Sequence, residues 1–331
     1  MSELELTAAL TVNERTRPLL NGDVRPAGIR LLLSPMESAE MFWRQLEFAE
    51  FDVSEMSISG LSAAVSRGDD RWWALPIFTV RRFYHTQLLV RADAGIERPE
   101  DLRGKRAGVP EYVQTSVVWA RGILEDQFGV KPTDLEWFME RSADRSLGGA
   151  TQFQPPPGLR FSYLADSQSL DRMLLDGELD VLFHYITARN LVDRSRADLG
   201  SDRRVRPLFP DVAAESARYY AQTSIYPVNH CVVVRRSIVE RYPWVALNLF
   251  DAFQAAAEMV RRRSFETLAP YFAAGLVDRH LHGVLARDPW AYGIAAARPA
   301  LDTLLRYLET QQLLARPVRI DELFAPSTLG L

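Results

Sequence analysis

The chain has 331 residues, of which 47% are hydrophobic and 25% charged, and its formal net charge is −4. This composition is typical of globular proteins and excludes the disordered and fibrous classes, and the length accommodates two domains. Lys and Arg are interspersed with Asp and Glu, which argues against broad nucleic-acid binding.

Strand-like and helix-like runs alternate in the first part of the chain. Strands are predicted at 4–10, 29–33, 51–56 and 73–78, and helices at 38–48 and 60–67. An extended segment, 83–90, follows them. This alternation predicts a mostly parallel sheet with helices on its faces.

A second alternating series comes next, with strands at 106–109, 135–139, 159–164 and 179–184 and helices at 114–128 and 167–176. Between them, 141–158 contains two adjacent glycines and three consecutive prolines, which predict an irregular, exposed loop. The run 228–235 predicts a strand that is apolar on both faces. A long helix is then predicted to start at Ser237, with Glu240 at the capping-box spacing.

Two extended connections, 83–90 and 226–234, bracket the middle of the chain. We therefore predict that residues 89–205 form an inserted α/β lobe, and that residues 1–88 and 206–331 pack together as the other lobe. A cleft would lie between the lobes, and hinge closure would be its natural motion.

The stretch after strand 106–109 predicts an anion-binding wall. Pro110 ends the strand because proline cannot donate to a sheet ladder, and a helix then starts near Gln114. Backbone N–H groups at a helix start favour a carboxylate or phosphate, and ligands of open α/β sheets lie beyond the carboxyl ends of the strands. Tyr112, Gln114 and Thr115 are the predicted wall.

The apolar runs, the first residues and the cysteine content bear on where the protein is located in the cell. No apolar run is long enough to span a bilayer, and the first residues lack the basic and apolar segments of a secretory signal. We therefore expect a cytoplasmic location. Cys231 is the only cysteine, which excludes an internal disulfide and a cysteine metal cluster.

Four segments carry a family resemblance. In chain order they are Phe-Asp-Val-Ser-Glu-Met-Ser at 51–57, Arg-Gly-Lys-Arg-Ala-Gly-Val-Pro-Glu-Tyr at 103–112, Gly-Glu-Leu-Asp-Val at 177–181 and Glu-Arg-Tyr-Pro-Trp-Val at 240–245. Together they resemble the 4,5-dihydroxyphthalate decarboxylase family, over about residues 13–324. That family is similar in fold to type II periplasmic solute-binding proteins.

The resemblance implies a two-lobed α/β fold of the type II periplasmic-binding-protein kind, with two crossover strands and a ligand site between the lobes. It also implies non-oxidative loss of carbon dioxide from a hydroxylated aromatic acid.

Two positions depart from the family pattern. Tyr84 stands where the family tends to have Arg, and Asn229 precedes His230 where an apolar residue is usual. Both departures bear on the choice of substrate.

His85 and His230 each begin one of the extended connections, so a two-lobed fold would bring both to one cleft. A histidine can supply or remove a proton near neutral pH, and aromatic decarboxylation needs a proton at the ring carbon that bears the carboxylate. We predict catalytic roles for His85, His230 and Glu111. The alternative for each histidine is a hinge residue hydrogen-bonded to backbone.

A divalent metal held by His85, His230 and Glu111 is a second hypothesis, in which a catecholic substrate would complete the ligand shell. No His-x-x-x-His or Cys-x-x-Cys spacing supports it. We therefore favour acid and base catalysis without a cofactor. His280 and His282 lie in a polar helical region and are predicted to be surface residues.

Several polar side chains are candidates for binding the substrate. Arg15 and Arg81 are predicted to hold a retained carboxylate in a bidentate fork, the alternative for each being a solvated surface charge. Ser57 and Ser59, at the end of a strand, would donate hydroxyls and could also cap the next helix. His184 closes a strand and is predicted to project into the cleft.

The resemblance implies an aromatic acid decarboxylase with a small aromatic carboxylate as its partner, and these residues are compatible with that activity. No nucleic-acid or membrane partner is expected. The alternative is a non-catalytic binding protein or sensor for a small aromatic acid, because one scaffold can serve both functions. Assembly into a homo-oligomer is left open.

Overall fold

The computed structural model describes residues 3–278, 280, 283 and 289–331. They contain two β-sheets. The strands, in chain order, are β1 (Leu4–Leu10), β2 (Ile29–Pro35), β3 (Val53–Ser57), β4 (Trp72–Arg81), β5 (Leu89–Arg91), β6 (Arg106–Val109), β7 (Glu136–Met139), β8 (Arg160–Tyr163), β9 (Val181–Leu182), β10 (Val205–Pro207) and β11 (Val228–Arg235).

The first sheet has the order β2-β1-β3-β11-β4, and the second has the order β10-β5-β9-β6-β7-β8. In the first sheet, β1 runs parallel to β2 and β3, whereas β11 runs antiparallel to both of its neighbours. In the second, β9, β6, β7 and β8 are parallel, and β5 and β10 complete one edge in antiparallel pairing. β1 and β9 thus lie in different sheets. The division of the chain into two lobes at residues 89 and 205 stays a prediction.

Helices surround both sheets. They are α1 (Arg17–Leu20), α2 (Ser38–Phe48), α3 (Ile58–Ser66), α4 (Thr115–Phe128), α5 (Leu147–Ala150), α6 (Leu170–Leu175), α7 (Val212–Thr223), α8 (Arg236–Arg241) and α9 (Trp244–Ala273), followed by helices Ile294–Thr310 and Ile320–Leu323. No helix within the described ranges combines the length and apolar character needed to cross a membrane.

The predicted extended segment 83–90 is wrong in its first half, which forms a 3-10 turn, Tyr84–Gln87, before β5 begins. The turn closes because Thr86 donates twice to the carbonyl of Phe83, from its amide at 3.2 Å and from its hydroxyl at 2.8 Å. A threonine that satisfies the same carbonyl twice stabilises a turn against an extended chain.

The helix predicted to start at Ser237 is instead two helices. Ser237 lies inside α8, which has no side-chain cap at its start, so the predicted capping box is wrong. Tyr242 then leaves the helical region, with φ −133° and ψ 75°. Pro243 explains the break, because a proline disfavours the α conformation in the residue before it. The long helix α9 starts immediately afterwards.

The stretch 141–158 is neither irregular throughout nor exposed throughout. It contains a 3-10 turn, Ala143–Arg145, and α5. Leu147 and Thr151 are buried. The Ser146 hydroxyl caps α5 by accepting from the amide of Gly149 at 2.9 Å. Its glycines and prolines predict a loop, but part of it is helical and buried and packs against α2.

Helix α4 connects the two sheets. Its Trp119 indole donates to the carbonyl of Val228 in β11 at 2.8 Å. Gly122 packs against Tyr307 so closely that a Cβ atom at this position would lie only 2.3 Å from the ring. A continuous hydrophobic core that includes residues of both sheets surrounds these contacts. The start of α4 is therefore held firmly between the two sheets.

Candidate active site

A small cavity lies where elements of the two sheets meet. One side comes from the first sheet and its helix α2, and the other from the start of α4 and the second sheet. Its lining comprises Ser38, Ala39, Phe42, Ser57, Gln114, Thr115, Ser116, Arg141, Leu147, His184, Ile186, Asn229 and His230. A pocket lined by a few convergent polar groups is the expected form of a small-ligand site.

His230 is paired with a buried carboxylate. Its Nδ1 lies 3.1 Å from Oε2 of Glu55, and Phe42 packs edge-on against its ring at a centroid distance of 4.7 Å. Glu55 also accepts from the hydroxyls of Thr79 at 2.6 Å and Thr11 at 2.7 Å. Burial acts to raise the pKa of Glu55, but the hydrogen bonds from His230, Thr79 and Thr11 outweigh it and hold the pKa below its usual range. Glu55 is therefore an anion that orients the imidazole.

Three hydroxyls converge at the start of α4. The Oγ atoms of Ser57 and Ser59 lie 2.9 and 3.0 Å from Oγ1 of Thr115. Ser57 caps α3, as predicted, by accepting from the amide of Gly60 at 3.4 Å. Ser59 donates to the carbonyl of Val113 at 2.6 Å and does not line the cavity. This cluster fixes the position of the α4 N-terminus.

Gln114 is the N-cap residue of α4 and lines the cavity. It is only 7% exposed. Its Nε2 is buried and has no hydrogen-bond partner in the part of the chain that the structure describes. A buried donor without a partner costs free energy, so a ligand acceptor would satisfy it.

Arg141 supplies positive charge to the cavity. Its guanidinium binds Asp193 through two contacts, Nε to Oδ1 at 2.6 Å and Nη2 to Oδ2 at 3.1 Å. Both side chains are almost fully buried. Because a guanidinium has five N–H donors, this pair leaves others for a ligand. The remaining N–H donors of the Arg141 guanidinium therefore suit a negatively charged ligand group such as a carboxylate.

His85 does not reach the cavity. It is fully buried, and its Nε2 lies 3.0 Å from Oε1 of Glu215 in α7. Aromatic rings of Phe209 and Tyr219 pack against it. Burial lowers the pKa of His85, and Glu215 opposes the shift only in part. The expectation that both histidines meet in one cleft is therefore wrong, and we withdraw the catalytic role of His85.

Glu111 and Tyr112 are structural neighbours of the site and do not line it. Glu111 is fully buried and accepts from the amide of Leu147 at 2.9 Å, which anchors α5. Burial raises the pKa of Glu111, and nearby Arg141 opposes the shift. The ring of Tyr112 lies 3.7 Å from the guanidinium carbon of Arg121 in the core. Of the predicted anion-binding wall, Gln114 and Thr115 line the cavity and Tyr112 does not; anion binding there stays a prediction.

Arg15 and Arg81 are not among the described residues that line the cavity. The guanidinium of Arg81 donates to the carbonyls of Pro289 at 3.3 Å and Ala291 at 2.9 Å. Arg15 stacks over the ring of Trp290 at 4.4 Å. These contacts hold segment 289–291 against the first sheet, away from the cavity.

The metal hypothesis required His85, His230 and Glu111 to come together. The structure gives each a different partner: Glu215, Glu55 and the amide of Leu147. In the described ranges, His, Cys, Asp and Glu side chains form no group of three or more that could hold a metal ion. The proposed ligand set therefore does not fit a metal.

His280 is exposed, as predicted, and His282 lies outside the described residues.

Sequence reasoning missed Glu55 and Arg141. Glu55 stands inside the predicted strand 51–56, and an acidic residue directly before Met56 was the available signal. Arg141 gave no comparable signal, because its partner Asp193 is 52 residues away and both lie outside regular elements.

Comparisons with known proteins define the fold class. Residues 12–240 match the family model described as "ABC transporter, phosphonate, periplasmic substrate-binding protein". The periplasmic aliphatic sulphonate-binding protein SsuA of Escherichia coli superimposes with a TM-score of 0.57 at 13% identity, covering 100% of both chains. The desulfurization enzyme DSZB superimposes with a TM-score of 0.58 at 17% identity, covering 99% of this chain and 98% of that one. The predicted periplasmic-binding-protein-like α/β fold is confirmed.

Sequence relatives narrow the class. A 4,5-dihydroxyphthalate decarboxylase of Comamonas testosteroni is 31% identical over 332 residues, covering 99% of this chain and 98% of the relative. One of Pseudomonas putida is 34% identical over 182 residues, covering 55% of this chain and 70% of the relative. This chain belongs to the 4,5-dihydroxyphthalate decarboxylase family. The relatives support an aromatic acid decarboxylase.

Proposed function

We propose that this protein is a non-oxidative decarboxylase of a hydroxylated, phthalate-like aromatic carboxylic acid. The observation that carries the proposal is the pair of His230 and buried Glu55 at a cavity that also contains Arg141. Such a site combines a proton donor with a carboxylate-binding group, as this reaction requires.

The retained carboxylate would bind at one end of the cavity. Arg141 offers guanidinium N–H groups, Gln114 offers its unsatisfied amide, and α4 offers the free N–H groups of its first turn. Guanidinium groups and helix N-termini are both favourable partners for a carboxylate. The hydroxyls of Ser57 and Thr115 lie beside them. A carboxylate held by several donors in this way would fix the orientation of the ring.

His230 would act as the proton donor. The Nδ1–H group donates to Glu55, so the proton on Nε2 is the one available to the substrate. Transfer of this proton to the ring carbon that bears the leaving carboxylate gives a cation stabilised by a ring hydroxyl. The bond to the carboxylate carbon then breaks, its electron pair restores the aromatic ring, and carbon dioxide leaves. Water returns a proton to His230, so the net reaction consumes one proton.

Glu55 would stabilise the protonated imidazole through charge and would hold its orientation. Phe42 would limit rotation of the ring. Leu147 and Ile186 add apolar surface to a lining that is otherwise mostly polar. A leaving carboxylate placed against these two side chains would be disfavoured relative to neutral carbon dioxide. The proposal involves no cofactor.

The test is incubation of purified protein with 4,5-dihydroxyphthalate labelled with ¹³C in its carboxyl groups, in heavy water. We expect ¹³CO₂ in the headspace and one deuterium at the vacated ring carbon. A panel of dihydroxybenzoic and phthalic acids defines the substrate. Binding of these acids in calorimetry without gas release from any of them would instead identify a non-catalytic binding protein.

A further inference from the structure

His184 has an unusual backbone conformation at the cavity. It follows β9 with φ 53°, in the left-handed region that non-glycine residues seldom adopt. Such conformations cost free energy and persist where the surrounding structure fixes them, often at binding sites. Here the imidazole is fixed from two sides. Nδ1 lies 3.2 Å from Oε1 of Gln87, and the ring contacts Tyr84 edge-on at a centroid distance of 5.3 Å.

The imidazole of His184 is neutral at physiological pH. Burial lowers its pKa to about 3, and the nearby guanidinium groups of Arg82 and Arg141 act in the same direction. Because Oε1 of Gln87 is an acceptor, the single ring proton lies on Nδ1. Nε2 then presents a lone pair, and no side chain in the described ranges donates to it. His184 is thus a fixed acceptor at the cavity, whereas the neighbouring Arg141 can only donate.

We infer that His184 is a specificity-determining residue that accepts a hydrogen bond from a ring hydroxyl of the substrate. The inference rests on the proposed function, in which the substrate is a hydroxylated aromatic acid. On such a molecule at neutral pH, the hydroxyls are the only hydrogen-bond donors, whereas a carboxylate would place its lone pairs against that of Nε2. Arg141 and Gln114 already provide the donors that a carboxylate requires.

This assignment also fits the chemistry of the ring. A hydroxyl that donates a hydrogen bond to a fixed acceptor carries more electron density on its oxygen. That density stabilises the cation formed when His230 protonates the ring. An acid without the hydroxyl would leave the lone pair of His184 at the cavity without its donor, and sites built to bind a polar group reject analogues that lack it.

The test compares two ligands that differ only in their hydroxyls, 4,5-dihydroxyphthalate and phthalate. Calorimetry at pH 7 measures the Kd of each for the native protein and for His184→Asn. Asn tolerates the left-handed conformation but does not extend to the position of Nε2. His280→Asn is the matched control, because the same substitution is made at an exposed histidine.

We expect the native protein and His280→Asn to prefer the dihydroxy acid by roughly tenfold, the size of one good hydrogen bond. In His184→Asn this preference should fall to near unity while the affinity for phthalate is retained. An unchanged preference, equal loss of affinity for both ligands, or no preference in the native protein would each overturn the inference. If His184→Asn does not fold, Gln87→Met removes the acceptor that fixes the tautomer, and the preference must weaken there. Because the readout is binding, absence of carbon dioxide release would count against the proposed function and leave this result intact.

Discussion

His230 and Glu55 meet diagonally across two antiparallel strands, with Nδ1 3.1 Å from Oε2. In the register of β3 and β11, His230 faces Ser57, and Val232 faces Glu55. Diagonal neighbours in an antiparallel pair are close enough for long side chains to touch. The sheet itself therefore sets the distance between the proposed proton donor and the carboxylate that orients it.

His230→Gln should lower kcat by roughly 10²-fold or more with little change in ligand affinity, because a proton donor acts on the barrier. Gln retains a donor for Glu55, so the fold should persist. The matched variant His85→Gln should keep most of its turnover, since His85 bonds to Glu215 away from the cavity. Steady-state kinetics and calorimetry check both. Normal turnover in His230→Gln, or a similar loss in both variants, would contradict the assignment.

Arg141→Met should weaken binding of aromatic carboxylates and destabilise the fold by about 3–5 kcal/mol, because it leaves the Asp193 carboxylate buried without its partner. Adding Asp193→Leu removes that unpaired charge. The double variant should therefore recover much of the stability but none of the affinity. Urea unfolding and calorimetry separate the two effects. Recovery of affinity in the double variant would show that Arg141 does not bind the ligand.

His184 should make the protein less stable in mild acid. Its pKa is about 3 in the folded protein and about 6.5 in an unfolded chain. Between these values the unfolded state binds the extra proton, so the free energy of unfolding falls as pH decreases from about 6.5 towards 3, by up to about 1.4 kcal/mol per pH unit. Urea unfolding at several pH values should show a shallower dependence for His184→Asn than for His280→Asn. Identical slopes would contradict the prediction.

Gly122→Ala should destabilise the junction between α4 and helix Ile294–Thr310. A Cβ atom at this position would lie 2.3 Å from the Tyr307 ring, and overpacking of this kind costs about 1–3 kcal/mol. Tyr307→Leu makes room, so the two substitutions combined should be less destabilising than the sum of their separate effects. Thermal unfolding measures the coupling. If the destabilising effects of the two substitutions were strictly additive, Gly122 and Tyr307 would not be packed against each other in the folded protein.

Local patterns predicted most of the elements. Strands β1, β6 and β11 and helix α2 have the predicted bounds, because their apolar periodicity is also the packing that the structure uses. The start of α4 was predictable for a different reason. Pro110 ends the preceding strand, and the helix begins within a few residues of it. Errors arose at Tyr242 and Tyr84, where a proline break and a tight turn replaced continuous elements.

The site was less predictable than the fold. Gln114, Thr115, His184 and His230 line the cavity, and each ends or begins a predicted element; their roles stay predictions. His85 met the same criterion, yet its ring turns towards α7 and binds Glu215. Local sequence specifies where an element ends, whereas the direction of a side chain depends on partners that are distant in the chain. The contacts of Glu55 and Arg141 are of that kind.

The unsatisfied amide of Gln114 couples the stability of the protein to ligand binding. An unmet buried donor costs about 1–3 kcal/mol, and a ligand with a suitable acceptor removes that cost. Ligands that bind only the folded protein raise its melting temperature. A melting-temperature screen of small aromatic acids would therefore rank candidate substrates by fit alone, before any chemistry is measured.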